Sequence, residues 1–254
     1  ISFTGSTRVG KILMDGASKT NTKLALELGG NAPVIILDDV DIEHVAKTAA
    51  TTKFRNCGQV CISPQRFYVH EKIFEEFSAL VANYAAALTV GNGLDSETRL
   101  GPLINKTQQQ HVLQIIEQAK EEKNNIITGG TAQHPGNFVL PTVIEVTNKQ
   151  SEFIHKDIFG PVMPLIPFST IEEVITLANQ TPYGLSAYIW TNNINHAIYL
   201  SEALEFGMVG INEWAPHATE APFGGWKQSG IGHESGSEGM MEYMEKKLIA
   251  IGGL

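Results

Sequence analysis

The sequence has few cysteines, little positive charge and no long apolar run, and each shortage excludes a class of protein. Cys57 and Cys61 are too few for a disulfide framework, and with no further Cys or His nearby they make a poor zinc site. Eighteen Lys and Arg against 27 Asp and Glu give a net charge of -9, which does not attract nucleic acid. No run reaches the roughly 18 apolar residues of a membrane span. No metal, nucleic acid or membrane partner is therefore expected.

The start of the chain lacks both a methionine and the charged and then apolar pattern of a signal peptide. It begins within what the pattern predicts to be a buried strand, so we expect that an N-terminal portion is missing. A cytoplasmic location is the default expectation, and an organelle matrix is the alternative.

The opening stretch GSTRVGK, residues 5–11, lacks one residue of a nucleotide-triphosphate P-loop. Position 12 is Ile, where the P-loop needs a Ser or Thr hydroxyl on Mg²⁺, so ATP hydrolysis is excluded. The apolar run before Gly5 and the helical pattern after it predict a strand, a tight turn and a helix N-terminus. Such a terminus binds phosphate without a metal. A phosphate-bearing ligand and an ordinary strand-to-helix turn both remain open.

Strand and helix patterns alternate along the chain, which predicts an α/β fold with a parallel-rich sheet covered by helices. Asp41 is expected to cap the second helix. The tail KKLIAI, residues 246–251, is predicted to be an apolar strand that pairs with another subunit, which favours a homo-oligomer. The predicted helices are 9–18, the segment after Asp41 to 54, 73–88, 107–122, 171–179 and 195–204. The predicted strands are 23–28, 33–37, 66–70, 125–128, 142–146, 186–190 and 208–211.

Cys61 lies in a glycine-containing loop, within FRNCGQVCISPQR. Arg55 and Arg66 are close in sequence, and cationic neighbours lower the pKa of a thiol and favour the nucleophilic thiolate. A catalytic cysteine and a small buried hydrophobe are both compatible with this pattern. Cys57 is expected to be structural, because a disulfide across so short a loop would be strained.

Glu27 stands between two leucines, just before Gly29-Gly30. A carboxylate at an apolar strand end is costly unless it is paired or its pKa is raised, and a raised pKa suits a general base near neutral pH. An exposed glutamate on an edge strand is the alternative. The glycine pair would let a ligand approach the backbone closely.

Six motifs in this order and spacing resemble the aldehyde dehydrogenase superfamily, and the resemblance covers essentially the whole chain. Glu27 and Cys61 are 34 positions apart, which matches the family's separation of base and nucleophile. FRN, VGINE and the ending EYMEKKLIAIGG are similar to the succinic semialdehyde branch. The six motifs are FTGSTRVGK, LELGGNAP, FRNCGQVC, DIFGPV, TPYGLSAY and APFGGWKQSG.

The resemblance implies a three-layer α/β catalytic domain with a remnant of a Rossmann-type cofactor domain. The implied division is residues 1–29 for the end of the dinucleotide-binding domain, 30–236 for the catalytic domain, and 237–254 for a C-terminal return and oligomerisation strand. A dimer or tetramer is expected.

The resemblance also implies a reaction. Cys61 adds to an aldehyde, hydride passes to NAD or NADP, and Glu27 activates the water that hydrolyses the thioester. The backbone N–H of Cys61 is one implied oxyanion donor, and the other is an Asn expected upstream of Ile1. The chain by itself is therefore predicted to be inactive.

The family's cofactor-binding positions fall on five residues. Asp157 is a departure, because the family has a glutamate there for the nicotinamide ribose. The implied contacts are Gly5 and Ser6 at a helix start, the Leu28 carbonyl on the carboxamide, Asp157 on the ribose and Phe159 against the nicotinamide.

Three residues are implied in substrate binding: Arg55, His217 and Phe223. Arg55 holds the substrate carboxylate in the succinic semialdehyde branch, where a serine stands at the position of His217 and a second arginine is expected upstream. The alternatives are that Arg55 pairs with a structural carboxylate and that Phe223 only packs against its neighbours. An enzyme for uncharged aldehydes, a coenzyme A-acylating relative and a catalytically silent binding protein are the rival functions.

Overall fold

The structure is a computed structural model, and it describes residues 1–253. The helices are α1 (Thr7–Ser18), α2 (Ile42–Phe54), α3 (Phe74–Ala86), α4 (Lys106–Glu121), α5 (Ile171–Asn179), α6 (Ile194–Ala203) and α7 (Gly236–Met241). The strands are β1 (Ser2–Thr4), β2 (Ala25–Glu27), β3 (Ala32–Ile36), β4 (Pro64–His70), β5 (Asn125–Thr128), β6 (Ala132–Gln133), β7 (Phe138–Val139), β8 (Thr142–Glu145), β9 (Val162–Phe168), β10 (Tyr183–Gly184), β11 (Ser186–Trp190), β12 (Met208–Ile211), β13 (Trp226–Lys227) and β14 (Gly230–Ile231).

A seven-stranded sheet forms the centre of the fold, in the order β12-β11-β3-β4-β9-β8-β5. Every neighbouring pair is parallel except β8 with β5, which is antiparallel. β3 and β11 are buried along their whole length, as parallel strands covered by helices must be. The predicted α/β class with a parallel-rich sheet is therefore confirmed.

Side-chain caps set where the helices begin. The Asp41 carboxylate accepts a hydrogen bond from the backbone N–H of His44, as predicted, and starts α2. Ser6 caps α1 in the same way through the N–H of Val9, so the glycine-containing turn after β1 ends in a helix N-terminus. No helix within residues 1–253 has both the length and the apolar character needed to cross a membrane.

The sequence patterns did not predict β9 or the short elements β6, β7, β10, β13, β14 and α7. β9 was missed, although it lies between β4 and β8 in the centre of the sheet, because Pro164 and Pro167 are residues that usually mark the edge of a sheet. The tail 246–251 forms no strand within the described chain, and Leu248 is 93% exposed. Its pairing with another subunit stays a prediction. Leu254, the last residue of the predicted C-terminal segment, lies outside the described residues.

A small second sheet, β1-β2-β14, joins distant parts of the chain. β2 pairs in parallel with β1 and in antiparallel with β14, so Glu27 lies opposite Gly230. The predicted domain boundary between residues 29 and 30 falls just after β2. The division into three domains stays a prediction.

The guanidinium of Arg66 is fully buried beside the central sheet. It donates to the carbonyl oxygens of Asn31, Leu177 and Ala178 and to the Tyr68 hydroxyl, with five hydrogen bonds of 2.9–3.3 Å. An arginine has five N–H donors, so this set of bonds matches its full donor capacity. Arg66 therefore links β4, the segment before β3 and the C-terminal end of α5.

We expect Arg66→Leu to lower the free energy of unfolding by roughly 3 to 5 kcal/mol, because the buried carbonyl oxygens of Asn31 and Ala178 lose the Arg66 donors. The carbonyl of Leu177 keeps the hydrogen bond from the Tyr68 hydroxyl. Urea unfolding followed by circular dichroism measures this loss. Arg99→Leu is the matched control, since Arg99 bonds only the exposed carbonyls of Ser96 and Thr98. Equal unfolding midpoints for the two variants would contradict the role assigned to Arg66.

Candidate active site

The loop that carries Cys61 is held in an unusual backbone conformation. Asn56, Cys57 and Gly58 have consecutive positive φ angles of 50°, 56° and 69°. A side chain at position 58 would clash with the carbonyl of Gly160, and one at Gly30 would lie 2.5 Å from the carbonyl of Cys61. Glycine at both positions lets the Cys61 loop pack backbone to backbone on its two neighbours.

The environment of the Cys61 thiol differs from the one predicted. Burial raises its pKa, and the charges of Glu27 and Asp157 raise it further. The backbone N–H groups of Ile62 and Cys61 act in the opposite direction and favour the thiolate. The expected lowering by nearby arginines was wrong, because Arg66 is committed to buried carbonyl groups and Arg55 extends to an exposed position.

Glu27 is a buried carboxylate without a hydrogen-bond partner on either oxygen among the described residues. Burial raises its pKa to about 8, and the neighbouring charge of Glu234 contributes to the rise. A carboxyl group with such a pKa takes up and releases a proton near neutral pH. The alternative of an exposed glutamate on an edge strand is excluded, since its exposure is 5%.

A cavity of about 420 Å³ opens on the side of the loop towards which Cys61 faces. All five predicted cofactor-binding residues line it, and the start of α1 forms one wall. Phe159, with a φ of 45°, is 36% exposed. The lining residues are Thr4, Gly5, Ser6, Leu28, Gly29, Cys61, Gln108, His111, Asp157 and Phe159.

The carboxylate of Asp157 is held in that cavity wall by Gln65. The Gln65 amide donates to Asp157 Oδ1 at 2.8 Å and to the Gly30 carbonyl at 3.4 Å, while its oxygen accepts from the N–H of Ile158. Burial raises the pKa of Asp157, and the Gln65 hydrogen bond together with the charges of Lys53 and His111 lowers it.

A second, smaller cavity of about 140 Å³ lies on the other side of the same loop. Arg55 and His217 both line it, as predicted for substrate-binding residues. Arg55 makes no hydrogen bond or ion pair within residues 1–253, so the alternative of a structural carboxylate finds no support. The lining residues are Thr51, Thr52, Arg55, Val60, Ile62, Ser63, Pro64, Tyr188, Trp214, Ala215 and His217.

Phe223 does not line the smaller cavity. It packs against the cluster of Ile62, Leu185 and Met208, as Val60 and Cys61 also do, and its ring meets that of His217 edge to face at 6.5 Å between centroids. Its position suits a residue that supports the Cys61 loop and His217, which agrees with the packing alternative.

The two cysteines have different surroundings. The Cys57 thiol donates to the carbonyl of Gly101, and burial raises its pKa to about 11. Both cysteines are free. No group of three or more His, Cys, Asp and Glu within the described residues is arranged to hold a metal ion.

Sequence reasoning missed four residues of this site: Lys53, Gln65, His111 and Glu234. The sequence did contain a signal for Lys53. It lies on the apolar face of α2 with Ala49, Ala50 and Phe54, and a lysine is rarely buried without a function. Gln65, His111 and Glu234 gave none, since only the folded chain brings them to the site.

The fold is an α/β protein with a parallel-rich sheet, and its site has a cysteine loop between two cavities. This arrangement is typical of an enzyme with a cysteine nucleophile. The aldehyde dehydrogenase family model matches residues 1–249. This chain therefore belongs to the aldehyde dehydrogenase family.

Three relatives illustrate the similarity. The mitochondrial succinate-semialdehyde dehydrogenase of Oryza sativa subsp. japonica is 46% identical over 100% of this chain and 48% of its own length. The 3-sulfolactaldehyde dehydrogenase of Pseudomonas putida is 41% identical over 100% of this chain and 52% of its own. The NAD+ complex of an aldehyde dehydrogenase from Bacillus cereus has a TM-score of 0.93 at 40% identity, over 96% of this chain and 50% of its own. The chain thus spans about half the length of the relatives it matches.

We expect Glu27→Gln to stabilise the protein as the pH rises. The folded-state pKa of Glu27 is about 8 against an ordinary 4.5, so stability falls as the pH rises through that window. Glutamine has no such dependence. The variant should match the wild type near pH 5 and exceed it by about 2 kcal/mol or more at pH 8.5, since one pKa unit corresponds to about 1.4 kcal/mol.

Urea unfolding at the two pH values provides the measurement. The same comparison in a Glu234→Gln background serves as the control, and it should give a smaller difference because the Glu234 charge no longer raises the pKa of Glu27. A difference between Glu27→Gln and the wild type that is independent of pH would refute the assignment.

Proposed function

We propose that this protein oxidises an aldehyde that carries a carboxylate at its far end, such as succinic semialdehyde, to the carboxylic acid with NAD or NADP. One observation carries the choice of substrate. The guanidinium of Arg55 has no partner in the described residues and lines a cavity whose wall includes Val60 and Ile62, the neighbours of Cys61. An unpaired guanidinium in a pocket binds a planar carboxylate through two hydrogen bonds.

The lining of the larger cavity supports binding of a nicotinamide dinucleotide. The free N–H groups at the start of α1 suit a phosphate, and the Asp157 carboxylate suits the hydroxyl groups of a ribose. The partly exposed ring of Phe159 suits a planar base. A bound nicotinamide would supply the acceptor for the hydride.

Cys61 serves as the nucleophile in this proposal. Its thiolate forms a bond to the aldehyde carbon, and the carbonyl electrons move to oxygen. The backbone N–H groups of Cys61 and Ile62 favour the thiolate in the resting site. They are also available to donate hydrogen bonds to the negatively charged oxygen. Loss of the hydride from that carbon leaves a thioester on Cys61.

Glu27 serves as the general base for hydrolysis. It takes a proton from water, the resulting hydroxide attacks the thioester carbon, and the Cys61 thiolate leaves as the carboxylic acid is released. A carboxylate without hydrogen-bond partners and with a pKa of about 8 is suited to accept that proton. This group supports transfer of the acyl group to water rather than to coenzyme A.

The smaller cavity supports a clamp for the substrate carboxylate. Arg55 provides the charge and His217 a second donor, while Tyr188 and Trp214 provide apolar walls for the carbon chain. Names among the relatives also favour acidic aldehydes, since the rice relative is a succinate-semialdehyde dehydrogenase and the Pseudomonas putida relative a 3-sulfolactaldehyde dehydrogenase.

A homo-oligomer and a cytoplasmic location complete the proposal. The exposed apolar side chains of Leu248, Ile249 and Ile251 support association with a second copy, because they find no cover in the described chain.

We expect Arg55→Ala to lower kcat/KM for succinic semialdehyde by about a hundredfold, because a charge-assisted hydrogen-bond pair is worth roughly 1.5 to 3 kcal/mol. Butanal has a chain of the same length without the carboxylate, and its kcat/KM should change less than about twofold, since it makes no such pair. The full-length protein is assayed by the absorbance of reduced nicotinamide, with Cys61→Ala as the blank.

Arg99→Ala is the matched control, since it removes an exposed arginine that does not line either cavity. Equal losses of kcat/KM for the two aldehydes in Arg55→Ala would leave the oxidation intact and remove Arg55 from substrate recognition. Absence of turnover with every aldehyde would reject the proposed reaction itself.

A further inference from the structure

Lys53 is a buried charge that the proposed reaction does not use. It lies in the last turn of α2 with 0% exposure, and its ammonium has no hydrogen-bond partner in the described residues. Burying an ammonium in this way is costly. Burial lowers its pKa to about 7. As the pH falls from about 10.5 towards 7, the unfolded chain takes up a proton at Lys53 and the folded chain does not, so the stability of the fold falls. Packing therefore does not explain why a lysine stands at this position.

The ammonium lies under the wall of the larger cavity. A side chain built on Gly58 would come within 3.4 Å of Lys53 Nζ and would also clash with the carbonyl of Gly160. Gly160 ends the short segment that begins at Asp157 and includes Phe159, both of which face the cavity. Lys53 thus sits behind the segment that presents the acidic group of this cavity.

Asp157 is the charged group whose field acts on Lys53, and the two groups influence each other. The Asp157 carboxylate favours the ammonium of Lys53, and Lys53 favours the ionised carboxylate. They form no ion pair within 4 Å, so the Asp157 oxygen that Gln65 does not bond stays available to the cavity. Three further titratable groups also face Asp157: His111, Tyr183 and Cys61.

We propose that Lys53 is a positioning residue, whose buried ammonium keeps the carboxylate of Asp157 ionised and able to accept hydrogen bonds from a ligand hydroxyl in the larger cavity. This inference rests on the cofactor role proposed for that cavity. The effect of Lys53 is exerted through Asp157, and Lys53 itself does not line the cavity.

The test measures the dissociation constant of NADH by fluorescence between about pH 6 and pH 9, on the full-length protein. Lys53→Met keeps an unbranched side chain one atom shorter and removes its charge. We expect NADH binding to weaken severalfold at pH 6, where Lys53 is charged and favours the ionised carboxylate of Asp157, and to match the wild type at pH 9, because the pKa of Lys53 is about 7 and its charge is then lost in the wild type as well. In an Asp157→Asn background, Lys53→Met should change binding less than about twofold, since no carboxylate remains to respond.

The control for other titrations repeats the cycle in a protein that carries His111→Gln, Tyr183→Phe and Cys61→Ala. A loss that is the same at every pH, or the same in the Asp157→Asn background as with Asp157 in place, would show a purely structural role and overturn the inference. Wild-type protein that binds no NADH would instead refute the cofactor proposal.

A second measurement leaves Lys53 in place. Lysine labelled with ¹³C at the ε position is titrated by NMR in the wild type and in Asp157→Asn. We expect the Lys53 resonance to titrate at lower pH in the variant, because it loses the favourable carboxylate. An unchanged titration would overturn the inference even if Lys53→Met failed to fold.

Discussion

The side-chain amide of Gln65 makes the hydrogen bonds on which the geometry of this site depends. Gln65 lies near the start of β4 and is 1% exposed. Its amide nitrogen donates to the carboxylate of Asp157 and the carbonyl of Gly30, and its amide oxygen accepts from the N–H of Ile158. Buried amide groups must be satisfied, so the polypeptide segments around Gln65 have little freedom to move apart. The next residue, Arg66, donates hydrogen bonds to the carbonyls of Asn31 and of Ala178 in α5, and so holds these two segments together. Two adjacent polar side chains thus fix the loops around Cys61.

Burial, rather than attraction to opposite charge, sets the protonation behaviour of the site. It is the largest cause of the raised pKa at Cys61, Glu27 and Asp157 and of the lowered pKa at Lys53. The carboxylates near Cys61 add to this effect at the thiol, and only its backbone N–H groups oppose it. Burial thus shifts each of these groups towards its neutral form, and at Asp157 the Gln65 hydrogen bond and the charges of Lys53 and His111 oppose that shift.

Much of the fold was readable in the sequence, because periodic apolar patterns and caps are local signals. α5 and β5 were predicted to the residue, and the Asp41 cap starts α2 as expected. β9 was not readable, because its prolines hide a central strand whose burial depends on both of its neighbours. The tail 246–251 has a strand-like pattern but no adjacent strand edge in the described chain, and its pairing with another subunit stays a prediction.

The sequence predicted residues of the site only where they lie within a short motif. Glu27 and Cys61 come from short motifs, and the raised pKa of Glu27 followed from its apolar neighbours. The state of the thiol was predicted with the wrong sign, because closeness in sequence to Arg66 says nothing about the direction in which its side chain points. Lys53 and Gln65 act on the segment 157–160, which is distant in sequence, and no local pattern reveals such a pairing.

The two cavities share no lining residue, and alternate residues of one short loop face them, with Val60 and Ile62 on one side and Cys61 on the other. A molecule in one cavity therefore contacts none of the residues that line the other. In the proposed reaction, shared lining residues therefore impose no order of addition or departure on the dinucleotide and the aldehyde. A compulsory order in steady-state kinetics would then point to the chemistry at Cys61 or to loop movement, rather than to competition for a shared wall.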